Sequence, residues 1–248
     1  MKRFAILTIC SLAGTLAFAQ SKQLKPKSAK EGQAINAMLT AQDPDTRIKA
    51  ASDLINNFAD TDFKSFALYM EAVSYQDKND SDKTIVYGEQ ALDVDPKNYQ
   101  AAVLVAKTYT SITKPNDLDK EEKLTKASKD AQQALELIKT ADKPNPSVTD
   151  AQWTEVKNDL QGQAYLALGA VAAYHNKMDE VTADFQKVAD LDTDPIDLIR
   201  AGRFLIDTKK PDQALIWIDK AINSPNGTAQ SKSIAANDKI RAQGMIKK

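Results

Sequence analysis

From Ser28 onward, apolar and small residues fall three and four positions apart in long runs closed by short polar turns, the period of amphipathic helices. Ser28 with Glu31 three residues later is a capping-box pattern, and it opens a run carrying Ile35, Met38 and Leu39. Asp43-Pro44 supplies a cap and a first-turn proline for a second run, with Ile48, Ala51, Leu54, Ile55 and Phe58 at helical spacing. Two more helices are expected over 66–76 and 82–94. Leu68, Ala72 and Tyr75 lie along the first, Thr84, Ile85, Ala91 and Leu92 along the second, and Asp95-Pro96 closes the unit. No sheet is expected.

The same layout returns three times. Tyr99 begins a unit with Val105, Ala106 and Tyr109, followed by Leu124, Ala127, Ala131, Ala134, Leu135 and Ile138. The next has Tyr165, Leu168, Gly169 and Ala172, then Val181, Phe185 and Val188. The last has Leu198, Gly202 and Leu205, then Ala214, Ile218 and Ala221, with Pro211 opening its second helix. A recurring helix pair with small residues where the helices cross resembles the tetratricopeptide repeat (TPR), over roughly residues 63–223. The resemblance implies an all-α, right-handed solenoid of antiparallel helix pairs. Its parts would be a divergent helix pair (28–62), four repeats (63–98, 99–147, 148–194 and 195–227) and a C-terminal capping helix (228–248).

Several positions depart from the family frame. Gly88 stands where a large residue is usual, so a weaker contact is expected there. The link inside the second unit is longer than the frame by roughly nine residues, and its charged stretch 117–129 is expected to be helical. Trp153, Val156 and Leu160 extend the apolar stripe of the third unit upstream, with Thr149 and Gln152 as its cap, giving about 40 Å of helix. The element 117–160 is therefore expected to project or lengthen and to offer a second contact, for self-association or docking; the alternative is a helix packed wholly onto its neighbours. Ile234, Ile240 and Met245 are expected to cover the last exposed face.

The N-terminus follows another pattern. Lys2 and Arg3, an apolar run from Phe4 to Ala17 too short to span a bilayer, and Ala17-Phe18-Ala19 together match a secretory signal peptide (1–19). Cleavage before Gln20 would leave a polar linker (20–27), expected to be mobile, and would remove Cys10, the only cysteine. An exported protein, periplasmic or extracellular, is expected, with no membrane span in the mature chain. Asn56 to Thr61 resembles the phrase that precedes such repeats in bacterial cell-envelope proteins. Lipid-anchored members carry a small residue before the modified cysteine, whereas Ile9 precedes Cys10 here.

Composition narrows the chemistry. With 33 basic against 34 acidic residues, the full chain stands at −1, and loss of Lys2 and Arg3 takes it to about −3, so nucleic acid is not an expected partner. His175 is the only histidine, which removes paired-His zinc sites, and it is placed at a helix end. No Gly-rich phosphate loop or Gly-x-Ser-x-Gly elbow occurs. Asp77-x-Asn79-x-Ser81 and Asp190-x-Asp192-x-Asp194 begin like calcium loops, yet the sixth position is Asp82 or Pro195 and the twelfth is Gly88 or Ala201. No catalytic residue, cofactor or metal is expected.

What remains is the surface that the repeats create. The family frame implies a concave groove lined by first helices, here Phe66, Tyr69, Val73, Gln100, Val103, Lys107, Gln163, Leu166, Tyr174, Ile199 and Arg203. This mixture of aromatic, aliphatic, amide and cationic groups suits a protein or peptide segment. A second assignment puts Val103, Leu166 and Ile199 in ordinary packing between neighbouring units. The carboxylate clamp of chaperone-binding members does not carry over, because Tyr69 and Val73 occupy its first positions. The function implied is a non-catalytic scaffold; the alternative is an accessory binding protein for an envelope polymer or small ligand.

Overall fold

The computed structural model describes residues 24–144, 146–191 and 195–246, and these form eleven helices and no strand. The signal-peptide segment lies outside the described residues. An N-terminal pair, α1 (Ala29–Thr40) and α2 (Pro44–Asn57), precedes four pairs. These are α3 (Lys64–Asp77) with α4 (Ser81–Val94), α5 (Tyr99–Ile112) with α6 (Lys120–Lys139), α7 (Asp150–Tyr174) with α8 (Met178–Asp190), and α9 (Pro195–Asp207) with α10 (Pro211–Asn223). Helix α11 (Ala229–Ile246) closes the stack. Each helix packs on its successor, and α3, α5, α7, α9 and α11 also touch one another in series. That second set of contacts makes a continuous layer of first helices.

Local chemistry sets the ends. The Asp43 carboxylate accepts from the Thr46 N–H at 2.9 Å ahead of Pro44. Thr149 and Gln152 exchange both bonds of a capping box at the start of α7. At α1 only half of the expected box forms: Ser28 Oγ accepts from the Glu31 N–H, while the buried Glu31 carboxylate accepts from the Lys27 N–H and the Thr61 hydroxyl. Glu31 thus ties α1 to the α2–α3 connection. The described end of the linker is tied as well, since Leu24 packs on the N-terminal core and Lys27 pairs with Asp60 and Asp62.

Three of the four pairs turn in the same way. Asn79, Asn176 and Lys209 take left-handed backbone with φ of 58°, 59° and 62°. In each turn the next N–H reaches back to the carbonyl five residues earlier: Asp80 to Tyr75, Lys177 to Ala172 and Lys210 to Leu205. This Schellman closure satisfies the last carbonyls and reverses the chain. The second pair lacks it. Its longer link runs through Thr113 to Asp119, where Asp117 accepts from the Lys114 N–H and pairs with Lys123, and helix begins only at Lys120.

The helices close on small residues. A Cβ added to Gly169 would sit 2.2 Å from the Phe185 ring, and one on Gly202 would sit 2.5 Å from Ile218. Gly88 is not the weak contact expected from the frame, because Val105 of the next first helix fills the space and a Cβ there would meet it at 2.4 Å. Ala91, Ala106 and Ala131 are fully buried.

The expectation for 117–160 is corrected, and that for the closing helix holds in part. Trp153 is buried, its indole N–H donates to the Ala141 carbonyl at 3.2 Å, and Val156 and Leu160 join the same core. The stripe expected to support self-association or docking through 117–160 is thus packed on its neighbours, Trp153 fully and Val156 and Leu160 in part, and among the described residues Leu118 is the one large apolar side chain that this element leaves fully exposed. On α11 Ile234 and Met245 pack on the C-terminal core as expected, beside a buried stripe of Ser231, Ala235, Asp238 and Ala242, while Ile240 faces outward.

Candidate functional site

The layer of first helices holds a cleft of about 500 Å³ that crosses four of them. Helix α3 contributes Gln76, α5 contributes Lys107, Thr108 and Ser111, α7 contributes Leu166, and α9 contributes Arg200, Arg203, Phe204 and Asp207. Lys107 follows Ala106 and Arg203 follows Gly202, so both cations stand one residue beyond the small crossing position of their pair.

The cations are held from beneath. Arg200 pairs with Asp197 at 2.6 Å and Arg203 with Asp238 at 2.7 Å. The carboxylate side chains are 0% and 11% exposed, whereas the arginines are 37% and 46% exposed. Buried acids therefore anchor half-exposed guanidinium groups. On α5, the Lys107 ammonium donates to Gln163 Oε1 at 3.0 Å, and Gln163 in turn donates to Asp159 at 2.6 Å. Asp207 pairs with Arg241 of α11, so the capping helix also braces the cleft wall.

Only part of the expected groove row is available to a ligand. Lys107, Leu166 and Arg203 line the cleft. Val103 and Ile199 are 2% and 1% exposed and belong to the core, so their place in the groove is a correction; Leu166, at 1%, forms the cleft floor with almost no free surface. Phe66 is buried and, with Gln100, lines a separate cleft of about 310 Å³ beside Leu24 and Tyr99. Tyr69 is half-buried between two apolar clusters, and Val73 is half-buried one turn further on. The Tyr174 hydroxyl donates to the Thr113 carbonyl. Burial pushes the phenols of Tyr69 and Tyr174 up to about 12, with Asp159 and Asp77 adding to the first and Asp207 and Asp117 to the second. Both are neutral hydroxyls at physiological pH.

Sequence reasoning missed Arg200, Phe204, Gln76, Thr108, Ser111 and Asp207. The signal was present for two of them. Ser111 and Asp207 stand four residues after Lys107 and Arg203, one turn along the same helix face.

The solved structure of a thermophilic TPR protein from Thermus thermophilus is similar to this chain with a TM-score of 0.53, covering 79% of this chain and 91% of that one at 13% identity. The fold is TPR-like. No family model and no curated protein matches the sequence.

Other chemistry-bearing groups have structural partners. His175 caps α7 and bonds Glu121 at 2.9 Å at an exposed site. Asp77 pairs with Arg47, Asp80 caps α4, and Asp190 accepts from Gln186; Asp192 and Asp194 lie outside the described residues. Among the described residues no group of three or more His, Cys, Asp or Glu side chains could hold a metal, and no helix is long and apolar enough to cross a membrane.

A half-buried charge cluster away from the cleft gives a pH signature. The Tyr109 hydroxyl and the Lys126 ammonium both donate to Glu89, joining α4, α5 and α6. Nearby, burial pushes the Asp130 carboxyl up to about 6, and the Glu89 charge adds to this. An unfolded Asp titrates near ~3.9, so folding favours the protonated form; this contribution is complete below about pH 4 and is lost as pH rises through about 6. Asp130→Asn should therefore reduce the stability difference between about pH 5 and pH 8 by about 1 to 2 kcal/mol, read from urea unfolding. An unchanged pH profile would place the titration elsewhere.

Proposed function

We propose that this protein is an exported, non-catalytic TPR-like scaffold that holds a segment of another protein in the cleft across α3, α5, α7 and α9. The observation that supports this most is the cleft itself, a polar-walled channel with an apolar floor, built jointly by four successive pairs. Such a surface exists only in the stacked array, and its walls come from side chains that the core does not consume.

Export rests on the run from Lys2 to Ala19. Intact-mass measurement of the protein from its native host should give a chain beginning at Gln20, and retention of the first nineteen residues would defeat this part of the proposal.

The cleft is tested by filling it. Tyr69→Ala is a poor probe, because the ring packs in two clusters, and Arg203→Ala would strand the buried Asp238 carboxylate. Ser111 is exposed on the cleft wall, so Ser111→Trp adds bulk without removing core. It should weaken binding of a co-purifying protein partner at least about tenfold, or about 1.4 kcal/mol, with melting unchanged. Ala91→Leu should do the reverse, lowering stability by about 1 to 3 kcal/mol at a fully buried crossing while sparing the cleft. Undiminished binding by Ser111→Trp would show that another surface holds the partner.

A further inference from the structure

We propose that the cleft selects an acidic peptide segment, with carboxylate side chains meeting Lys107, Arg200 and Arg203; this rests on the scaffold reading above. Three cations and one acid, Asp207, line the cleft. The acids that neutralise the two arginines, Asp197 and Asp238, sit beneath them in the protein, not across the opening. In the bonds described, Arg200 uses Nη1 toward Asp197 and Arg203 uses Nε toward Asp238. A guanidinium carries five N–H donors in a planar fork, so each arginine keeps an edge suited to bidentate carboxylate binding.

Pre-organisation strengthens the case. An exposed arginine normally loses side-chain entropy when it pairs, but here a buried carboxylate already fixes each head group, and that loss occurs during folding. Lys107 is likewise directed by Gln163 across the α5–α7 boundary. The floor and remaining wall fit peptide better than polyphosphate. Phe204 offers apolar surface above the buried Leu166, and Gln76 and Ser111 offer hydrogen-bonding groups to a backbone.

The test uses the full mature chain against an array of ten-residue peptides whose Asp and Glu content runs from none to five, with heparin as a non-peptide polyanion. Acidic peptides should be enriched, and binding should weaken as salt rises from about 0.05 to 0.5 M. A Lys107→Gln protein, in which Gln retains a donor toward Gln163, should lose affinity at least threefold at unchanged melting temperature. Lys107→Arg should restore it, which a merely structural role would not require. Acidic peptides that bind the Gln variant undiminished would overturn the assignment, as would heparin binding as tightly through the same residues. Selection of uncharged peptides blocked by Ser111→Trp would overturn the acidic preference and leave the scaffold reading intact. Binding of no peptide at all would overturn both.

Discussion

Two helix backbones come close only where a side chain is missing between them, and this structure depends on that constraint. Gly169 admits the Phe185 ring and Gly202 admits Ile218, so the third and fourth pairs form by setting a large residue of the second helix into a gap on the first. Phe185 and Ile218 are fully buried, and Trp217 lies edge-on to Phe185 at 5.6 Å. In the first pair both helices carry a small residue, Ala72 on the first and Gly88 on the second. Gly88 then receives Val105 from the following unit, and the same device joins neighbouring units instead of closing one.

Close crossing within pairs has a consequence for the outer surface. Because the second helices are drawn in against the first, successive first helices meet directly, and their inward residues include Val103 and Ile199 of the core. Residues one position beyond the crossing point, Lys107 and Arg203, are left at the open edge of that layer. The cleft is thus the exposed margin of the packing that stabilises the stack. Its chemistry is then adjusted from behind, through Asp197, Asp238 and Gln163.

The repeated elements were legible because helical period, caps and small crossing residues all appear within one unit. Asp43-Pro44, Thr149 with Gln152, and the Gly169 and Gly202 crossings are local signals, and each stands where the pattern places it. What was misread depends on contacts between units. Gly88 looks like a lost contact when viewed within its own pair. The Trp153 stripe looks free until the 140–149 connection returns and Ala141 accepts the indole N–H. Helix α11 has a weak pattern because its buried face is made of small and paired polar residues, including Asp238. For the site, the frame identified the first-helix layer, but which side chain in each turn faces the core or the opening depends on helix rotation. Ile199 and Arg200 are neighbours in sequence with opposite fates.

The most direct measurement of the central claim is a double-mutant cycle at the third pair, comparing Gly169→Ala, Phe185→Leu and the double variant by urea unfolding. Alanine favours helix over glycine by about 1 kcal/mol, so Gly169→Ala can destabilise only if the clash with Phe185 outweighs that gain. The account predicts destabilisation by Gly169→Ala, and relief of at least about 1 kcal/mol when Phe185→Leu is added. Additive effects, or a stabilising Gly169→Ala, would mean that the missing side chain is not what sets the helices together.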